Sequence, residues 1–289
     1  MLSIKFISEN SDIVVSRLKI KNFDAQDLVE QLIVLDTRRR KLQSELDARQ
    51  AIINKLSKEI GRYYKQGKPE EAEKTKEQTT ALKEEIKQLA PGMGEIEESI
   101  REFLVQLPNL PHETVPPGTS PQDNPVVREG GRKPLLGKDA LPHWELARKY
   151  DIIDFESGNK ITGAGFPLYK GRGAKLQRAL INFFLETAVE SGYTEFMPPV
   201  AVNEASAFGT GQLPDKEGQM YHITLDNLYL IPTAEVPLTN IFRGEIVSYK
   251  DLPLMLTAYT PCFRREAGSY GKDVKGLNRL HQFDKVEIV

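Results

Sequence analysis

The chain has a single cysteine, Cys262, in 289 residues. One thiol excludes an internal disulfide and any zinc cage built from several cysteines, and it suits a reducing cytoplasm. The four histidines, His112, His143, His222 and His281, show neither H-x-x-x-H nor H-E-x-x-H spacing, so no metal site is expected from them. No apolar run approaches the roughly 18 residues of a membrane helix. The N-terminal stretch MLSIKFISENSD has no apolar core of signal-peptide length. These absences lead us to expect a soluble cytoplasmic protein with no membrane partner. The sequence also lacks a G-x-x-x-x-G-K-[ST] phosphate loop, a G-x-G-x-x-G fingerprint and a G-x-S-x-G elbow. If a nucleotide binds, an unrelated kind of site must hold it. The net charge of −2 gives no global basic field, so any contact with nucleic acid must come from a local patch.

What is present begins with length enough for two domains. From Leu28 the apolar positions step by four and three: Leu28, Leu32, Leu35, Leu42, Leu46, Ile53, Leu56, Ile60, Tyr63. Only Arg39 and Arg49 interrupt this heptad seam. Gly67-Lys68-Pro69 breaks it, and a second seam runs from Ala72 through Leu82, Leu89, Met93 and Ile100 to Leu107. A kink or local break is expected at Pro91-Gly92. Two matched seams joined by a short Gly/Pro turn predict an antiparallel coiled-coil hairpin. At about 1.5 Å per residue its first helix is roughly 50 Å long, too long for the inside of a compact domain, so it reads as a projecting arm.

Charge divides along this arm. Leu28 to Lys68 carries ten Lys or Arg against five Asp or Glu; Pro69 to Leu107 carries five against ten. The imbalance can steer two helices into one hairpin. It can also form a basic stripe, with Arg38, Arg39, Arg40, Lys55, Lys58 and Arg62, that follows a phosphate backbone.

Residues 108–142 hold eight of the 18 prolines and form a Pro/Gly-rich linker. The organisation expected is an arm over 1–107, this linker, and a catalytic domain over 143–289. Within the last, Trp144–Tyr150 and Ala174–Ser191 read as helices. Leu176, Leu180, Phe183, Phe184, Thr187 and Ala188 share one face of the second, and Gly192 follows as its C′ residue. Leu168-Tyr169, Tyr193–Val202, Met220–Thr224, Leu228–Ile231, Leu256–Phe263 and Phe283–Val289 read as strands. Short turns between them favour an antiparallel sheet.

The last two strands flank a glycine-punctuated loop carrying Lys272, Lys275 and Arg279. It is long for a hairpin. Alternation puts Arg264 and Glu266 on one face, where a guanidinium grips phosphate or carboxylate and a carboxylate accepts from an amino group. It also puts Phe283 and Glu287 on one face, as a purine platform and an ammonium acceptor. Taken singly, these residues read first as a surface ion pair and as a core ring beside an exposed carboxylate. In Ile231-Pro-Thr-Ala-Glu235, Thr233 is either a helix N-cap or, with Glu235, part of a polar pocket shared with Glu287.

Together these segments identify the chain as similar to the seryl-tRNA synthetases, a class II aminoacyl-tRNA synthetase family. FRREAGSYGKDVKGLNRLHQFDKVEIV resembles the family's motif 2, IPTAEVPLTN its serine-binding segment, and GYTEFMPPVAVNEASAFGTGQLP its motif 1. The coiled-coil arm followed by LPNLPHETVPPG is also the family's layout. The resemblance implies an α+β fold: a coiled-coil hairpin plus a mostly antiparallel sheet flanked by helices, incomplete at its C-terminal end. It implies that L-serine and ATP form seryl-adenylate and that serine then passes to the 3′ end of tRNA(Ser). Arg264 is the implied catalytic residue, on the α-phosphate. Arg264, Arg265, Glu266, Leu280 and Phe283 are implied to bind ATP, and Thr233, Ala234, Glu235 and Glu287 to bind serine. The arm residues above are implied to lie along the tRNA, and Pro199 to mark a homodimer interface. Mg2+ is implied with ATP, its ligands lying beyond residue 289, as does the family's third motif. The expectation is therefore an N-terminal fragment, inactive alone; serine-dependent ATP–pyrophosphate exchange by these 289 residues would overturn it. Two other readings remain: a tRNA-binding module, and a paralogue that activates an amino acid without charging tRNA.

Overall fold

The computed structural model of the protein describes residues 2–266 and 275–289. Lys272, one of the loop cations noted above, lies outside them. The chain divides into two compact units, Met1–Arg132 and Lys133–Val289.

In the first unit, α1 (Ile4–Glu9) and α2 (Ser11–Lys19) precede two long helices, α3 (Gln26–Lys65) and α4 (Pro69–Leu104). The two short helices have no counterpart in the heptad reading, because their apolar residues are too few to show a period. They close the base of the hairpin. Ile7, Val14 and Leu18 bury fully against Leu32 of α3, with Val29, Ile100 and Leu107 in the same cluster. The 40 residues of α3 give a rod of roughly 60 Å. Gly67 turns the chain in the left-handed region, and Pro69 opens α4 at a position where its missing N–H costs nothing.

Both interruptions of the seam are explained by charge. Arg39 folds back on Asp36 at 2.7 Å, and Asp36, 2% exposed, takes Arg40 on its other oxygen at 2.7 Å. Arg49 reaches across the hairpin to Glu85 at 3.0 Å. The break expected at Pro91-Gly92 does not occur: α4 runs unbroken through Pro91. Gly92 lies against Leu42 of the facing helix, 3.8 Å from where its Cβ would stand. Packing along the seam outweighs the one hydrogen bond that proline removes.

The second unit begins with α5 (His143–Lys149), β1 (Ile153–Asp154), α6 (Phe155–Ile161), β2 (Leu168–Tyr169) and the 19-residue helix α7 (Arg172–Glu190). Then come β3 (Thr194–Phe196), β4 (Ala201–Asn203), α8 (Glu204–Gly209), β5 (Tyr221–Ile223), β6 (Leu228–Leu230), α9 (Glu235–Asn240), β7 (Leu256–Phe263) and β8 (Gln282–Ile288). The single strand expected over Tyr193–Val202 is two strands in different sheets. Pro198-Pro199 withdraws two donors from the ladder and separates them. β3 pairs parallel with β7, which pairs antiparallel with β8. β4, β6 and β5 form a separate antiparallel sheet.

The apolar face of α7 is largely solvent-facing: Leu176, Leu180, Phe183 and Phe184 are 43–61% exposed, and only Ala188 of that face is buried. Toward the sheet Gly173 is buried as well, and Gln177 donates to Asp284 of β8 at 2.9 Å. Gly173 is required there, since a Cβ would stand 2.0 Å from the Ile152 carbonyl oxygen. Periodicity finds a helix and its apolar stripe, but not which stripe a sheet accepts.

Candidate functional site

The β7–β8 hairpin has two faces. Opposite pairs share a face, so Ala258/Glu287, Thr260/Lys285 and Cys262/Phe283 lie on one side. On the other, the Tyr259 hydroxyl donates to Asp284 at 2.7 Å, next to the Gln177 contact from α7. Burial, then the bond to Asp284, pushes the Tyr259 phenol up to about 12, so it stays a proton donor and fixes this strand. The side away from α7 is the candidate site. Its floor is small and buried: Ala258, Thr260 and Cys262 are at most 1% exposed. Above that floor stand an aromatic ring, an ammonium and a carboxylate on alternate residues of β8.

At one end, the Arg264 guanidinium lies 5.2 Å from the centre of the Phe283 ring. The Arg264 N–H donates to the His281 carbonyl at 2.9 Å, which holds the start of the loop against β8. The His281 N–H in turn donates to Gly165 at 2.9 Å, and Nδ1 of its ring lies 2.6 Å from the Tyr221 hydroxyl. Leu280, directly before it, is buried. Arg265 is exposed, its guanidinium 6.0 Å from the Tyr221 ring.

Glu266 lies beyond the strand, contrary to the alternation expected of it. β7 ends at Phe263 and Glu266 has a left-handed φ of 48°, so strand alternation does not carry through to it. What orients it is a 3.2 Å ion pair with Arg279 from the returning side of the loop. His143 of α5 also anchors that side, its Nε2 accepting from the Leu277 N–H at 2.7 Å.

At the other end the three polar residues converge. The Thr233 hydroxyl donates to Glu287, and the Lys285 ammonium pairs with the same carboxylate oxygen. Lys285 also donates to the Thr233 oxygen at 3.1 Å, as does the Glu235 N–H at 3.3 Å. The N-cap position of α9 belongs to Ala234, which makes no side-chain capping bond. Thr233, one residue earlier, bonds both the helix start and Glu287, so the two roles open from the sequence are held together. Ala234 is fully buried and the Glu235 side chain is exposed. Lys285 was missed from the sequence. The signal was its parity with Phe283 and Glu287, which puts it on the same face midway between them.

The buried thiol of Cys262 senses this charge. Burial pushes it up; the Thr260 bond and the cations Lys285 and Arg264 pull it down, and Glu287 pushes it up again. A ring with a guanidinium at one end and a carboxylate at the other, over a floor of small side chains, suits a flat base, a phosphate and an ammonium in line. Among the described residues no group of three or more His, Cys, Asp or Glu side chains is placed to hold a metal ion, and no helix is long and apolar enough to cross a membrane.

On the arm, Arg38, Lys55, Lys58 and Arg62 project as exposed side chains. Among the described residues no ion pair engages Lys55, Lys58 or Arg62. Arg39 and Arg40 differ, both being drawn onto Asp36.

The segment that carries this hairpin matches the core of the class II aminoacyl-tRNA synthetases. Residues 221–289 match the tRNA synthetase class II core domain of the G, H, P, S and T group, and residues 1–111 match the seryl-tRNA synthetase N-terminal domain. The serine–tRNA ligase of Salinibacter ruber is 48% identical over 289 residues, spanning all of this chain and 68% of that protein. The serine–tRNA ligase of Geobacter sp. is 45% identical, with the same coverage. Among solved structures, the seryl-tRNA synthetase from Pyrococcus horikoshii complexed with ATP superposes with a TM-score of 0.84 at 32% identity, covering all of this chain and 69% of that one. The chain belongs to the seryl-tRNA synthetase family.

Proposed function

We propose that this protein activates L-serine with ATP and transfers it to the 3′ end of tRNA(Ser), as its relatives' name of serine–tRNA ligase describes. The observation that carries this reading is the convergence of Thr233 and Glu287 at one end of the hairpin face, with Arg264 and Phe283 at the other. Phe283 stacks the adenine. Glu266 and Arg265 contact the nucleotide from the loop, and the backbone at Leu280 borders it. Arg264 holds the α-phosphate and takes up charge as the serine carboxylate attacks, which is catalysis by position and electrostatics. Thr233, Glu235, Glu287 and the backbone at Ala234 receive serine. Hydrogen-bonding the serine hydroxyl rejects alanine more strongly than any apolar contact. Mg2+ accompanies ATP, and the described residues offer it no cage. The test is serine-dependent ATP–pyrophosphate exchange by the intact protein, followed by charging of tRNA(Ser). Exchange equal with every amino acid, or none with serine, would sink the reading.

The arm supplies the grip on tRNA. Phosphate contacts release counterions, so affinity falls steeply with salt. Arg38, Lys55, Lys58 and Arg62 carry this proposal; Arg39 and Arg40 contribute less because Asp36 already holds them. Replacing Lys55, Lys58 and Arg62 together by Gln is expected to weaken tRNA binding and to flatten its salt dependence by roughly two to three units of slope. Serine-dependent exchange, which needs no tRNA, stays unchanged. A variant with unaltered tRNA affinity removes these residues from the interface.

The exposed stripe of α7, together with Met197 at 93% exposure and exposed Pro199, supports a second copy of the chain as its cover. Sedimentation at twice the chain mass is expected, and a Leu180→Glu/Phe183→Glu variant should sediment as a monomer. A wild-type monomer at micromolar concentration rejects this assembly.

A further inference from the structure

We propose that Lys285 is a specificity-determining residue of the same site: a resident cation that occupies the ammonium subsite until a substrate bearing both an ammonium and a carboxylate displaces it. The inference rests on the serine reading of Thr233 and Glu287. A hydroxyl has one donor and two acceptor positions. At Thr233 the donor is spent on Glu287, and the two acceptor positions receive the Lys285 ammonium at 3.1 Å and the Glu235 N–H at 3.3 Å. Thr233 is therefore saturated by the protein's own groups. One oxygen of the Glu287 carboxylate, Oε2, is likewise taken, by both the Lys285 ammonium and the Thr233 hydroxyl.

An incoming ammonium cannot bond Thr233 until one of its donors leaves. The Glu235 N–H is fixed by the start of α9. Lys285 ends a flexible four-carbon stem, and its side chain is 34% exposed, against 18% for Glu287. Lys285 is the group that gives way. Once displaced, it is a cation on the face between Phe283 and Glu287, and among the described residues no carboxylate stands across the strand pair from it. Its cross-strand neighbour is Thr260, which is neutral and 1% exposed. An amino acid brings its own carboxylate to that position and re-pairs the lysine. A simple amine takes the carboxylate of Glu287 and leaves Lys285 uncompensated. The site thus selects amino acids against amines of the same shape.

The probe is serinol, which keeps the ammonium and hydroxyl of serine and has no carboxylate. Affinities of serine and serinol are measured by calorimetry on the intact protein, wild type and Lys285→Met. Met keeps the length of the side chain and removes its charge. In the variant serinol gains, because nothing competes for Thr233 and Glu287, and serine loses the partner of its carboxylate. The preference for serine over serinol is expected to collapse on the order of tenfold or more, as befits one charge-assisted hydrogen bond. Lys285→Arg, which restores a resident cation, is expected to keep most of the wild-type preference. That result also separates charge from packing. An unchanged preference in Lys285→Met overturns the role of Lys285 while leaving the serine site standing. Wild-type protein that binds neither serine nor serinol overturns the serine site and this inference together.

Discussion

In a complete enzyme, Glu287→Ala is expected to abolish serine-dependent pyrophosphate exchange. The carboxylate is the one anion at its end of the hairpin face that both a hydroxyl and an ammonium already address. Removing one partner of a largely buried charge pair costs about 2–5 kcal/mol. That is roughly 30-fold to several thousand-fold in kcat/KM for serine, before adding the repulsion between substrate ammonium and a Lys285 left without its partner. The loss should sit in serine affinity and turnover, with ATP binding spared. Unfolding is not the expected route. Thr257 bonds the main-chain carbonyl of Glu287 at 2.8 Å, so the strand register survives loss of the side chain. Circular dichroism and ATP affinity check that point. Exchange at the wild-type rate would remove Glu287 from the serine site.

Arg264→Ala is expected to lower kcat for adenylate formation by about 10²–10³-fold, the usual effect of deleting a preorganised group aimed at developing charge. Its guanidinium is placed by a main-chain bond to His281 and by the Phe283 ring 5.2 Å away. Neither contact depends on substrate, so the group is preorganised. Lysine should not substitute, because a point charge lacks the planar fork that meets two phosphate oxygens. Serine affinity measured without ATP should change little. Single-turnover kinetics separate the two quantities; a kcat within a few-fold of wild type would assign the α-phosphate to another group.

Much of this molecule was legible before any fold was seen. The hairpin arm follows from a seam of period 3.5 interrupted by Gly67 and Pro69. The strands β5 to β8 and the helices α5 and α7 follow from alternation and from amphipathic spacing. Phe283 and Glu287 were paired by parity alone, and the pairing holds because β8 is regular throughout their span. Glu266 failed the same rule, because the chain leaves the strand at Phe263 and is left-handed at Glu266 itself.

What stands opposite a side chain decides the rest. The basic stripe includes Arg39 and Arg40, and Asp36 on the preceding turn pairs with both. Leu176, Leu180, Phe183, Phe184, Thr187 and Ala188 share one face of α7, yet of these only Ala188 is buried, while Gly173 and Gln177 meet the strands. The helix lies close only where Gly173 lets it approach the Ile152 carbonyl. Local pattern reports which residues are alike, not what stands opposite them.

By itself the sequence determined the periods: an arm of two long helices, a hairpin of two regular strands, and a ring and a carboxylate on one face of it. Those properties are local, set by side-chain spacing and by Gly and Pro at the breaks. Only the tertiary structure decided that Thr233, 54 residues before Glu287, bonds its carboxylate, and that Lys285 lies between them. Such a contact depends on how the start of α9 is set above the sheet, and no period along the chain encodes that distance.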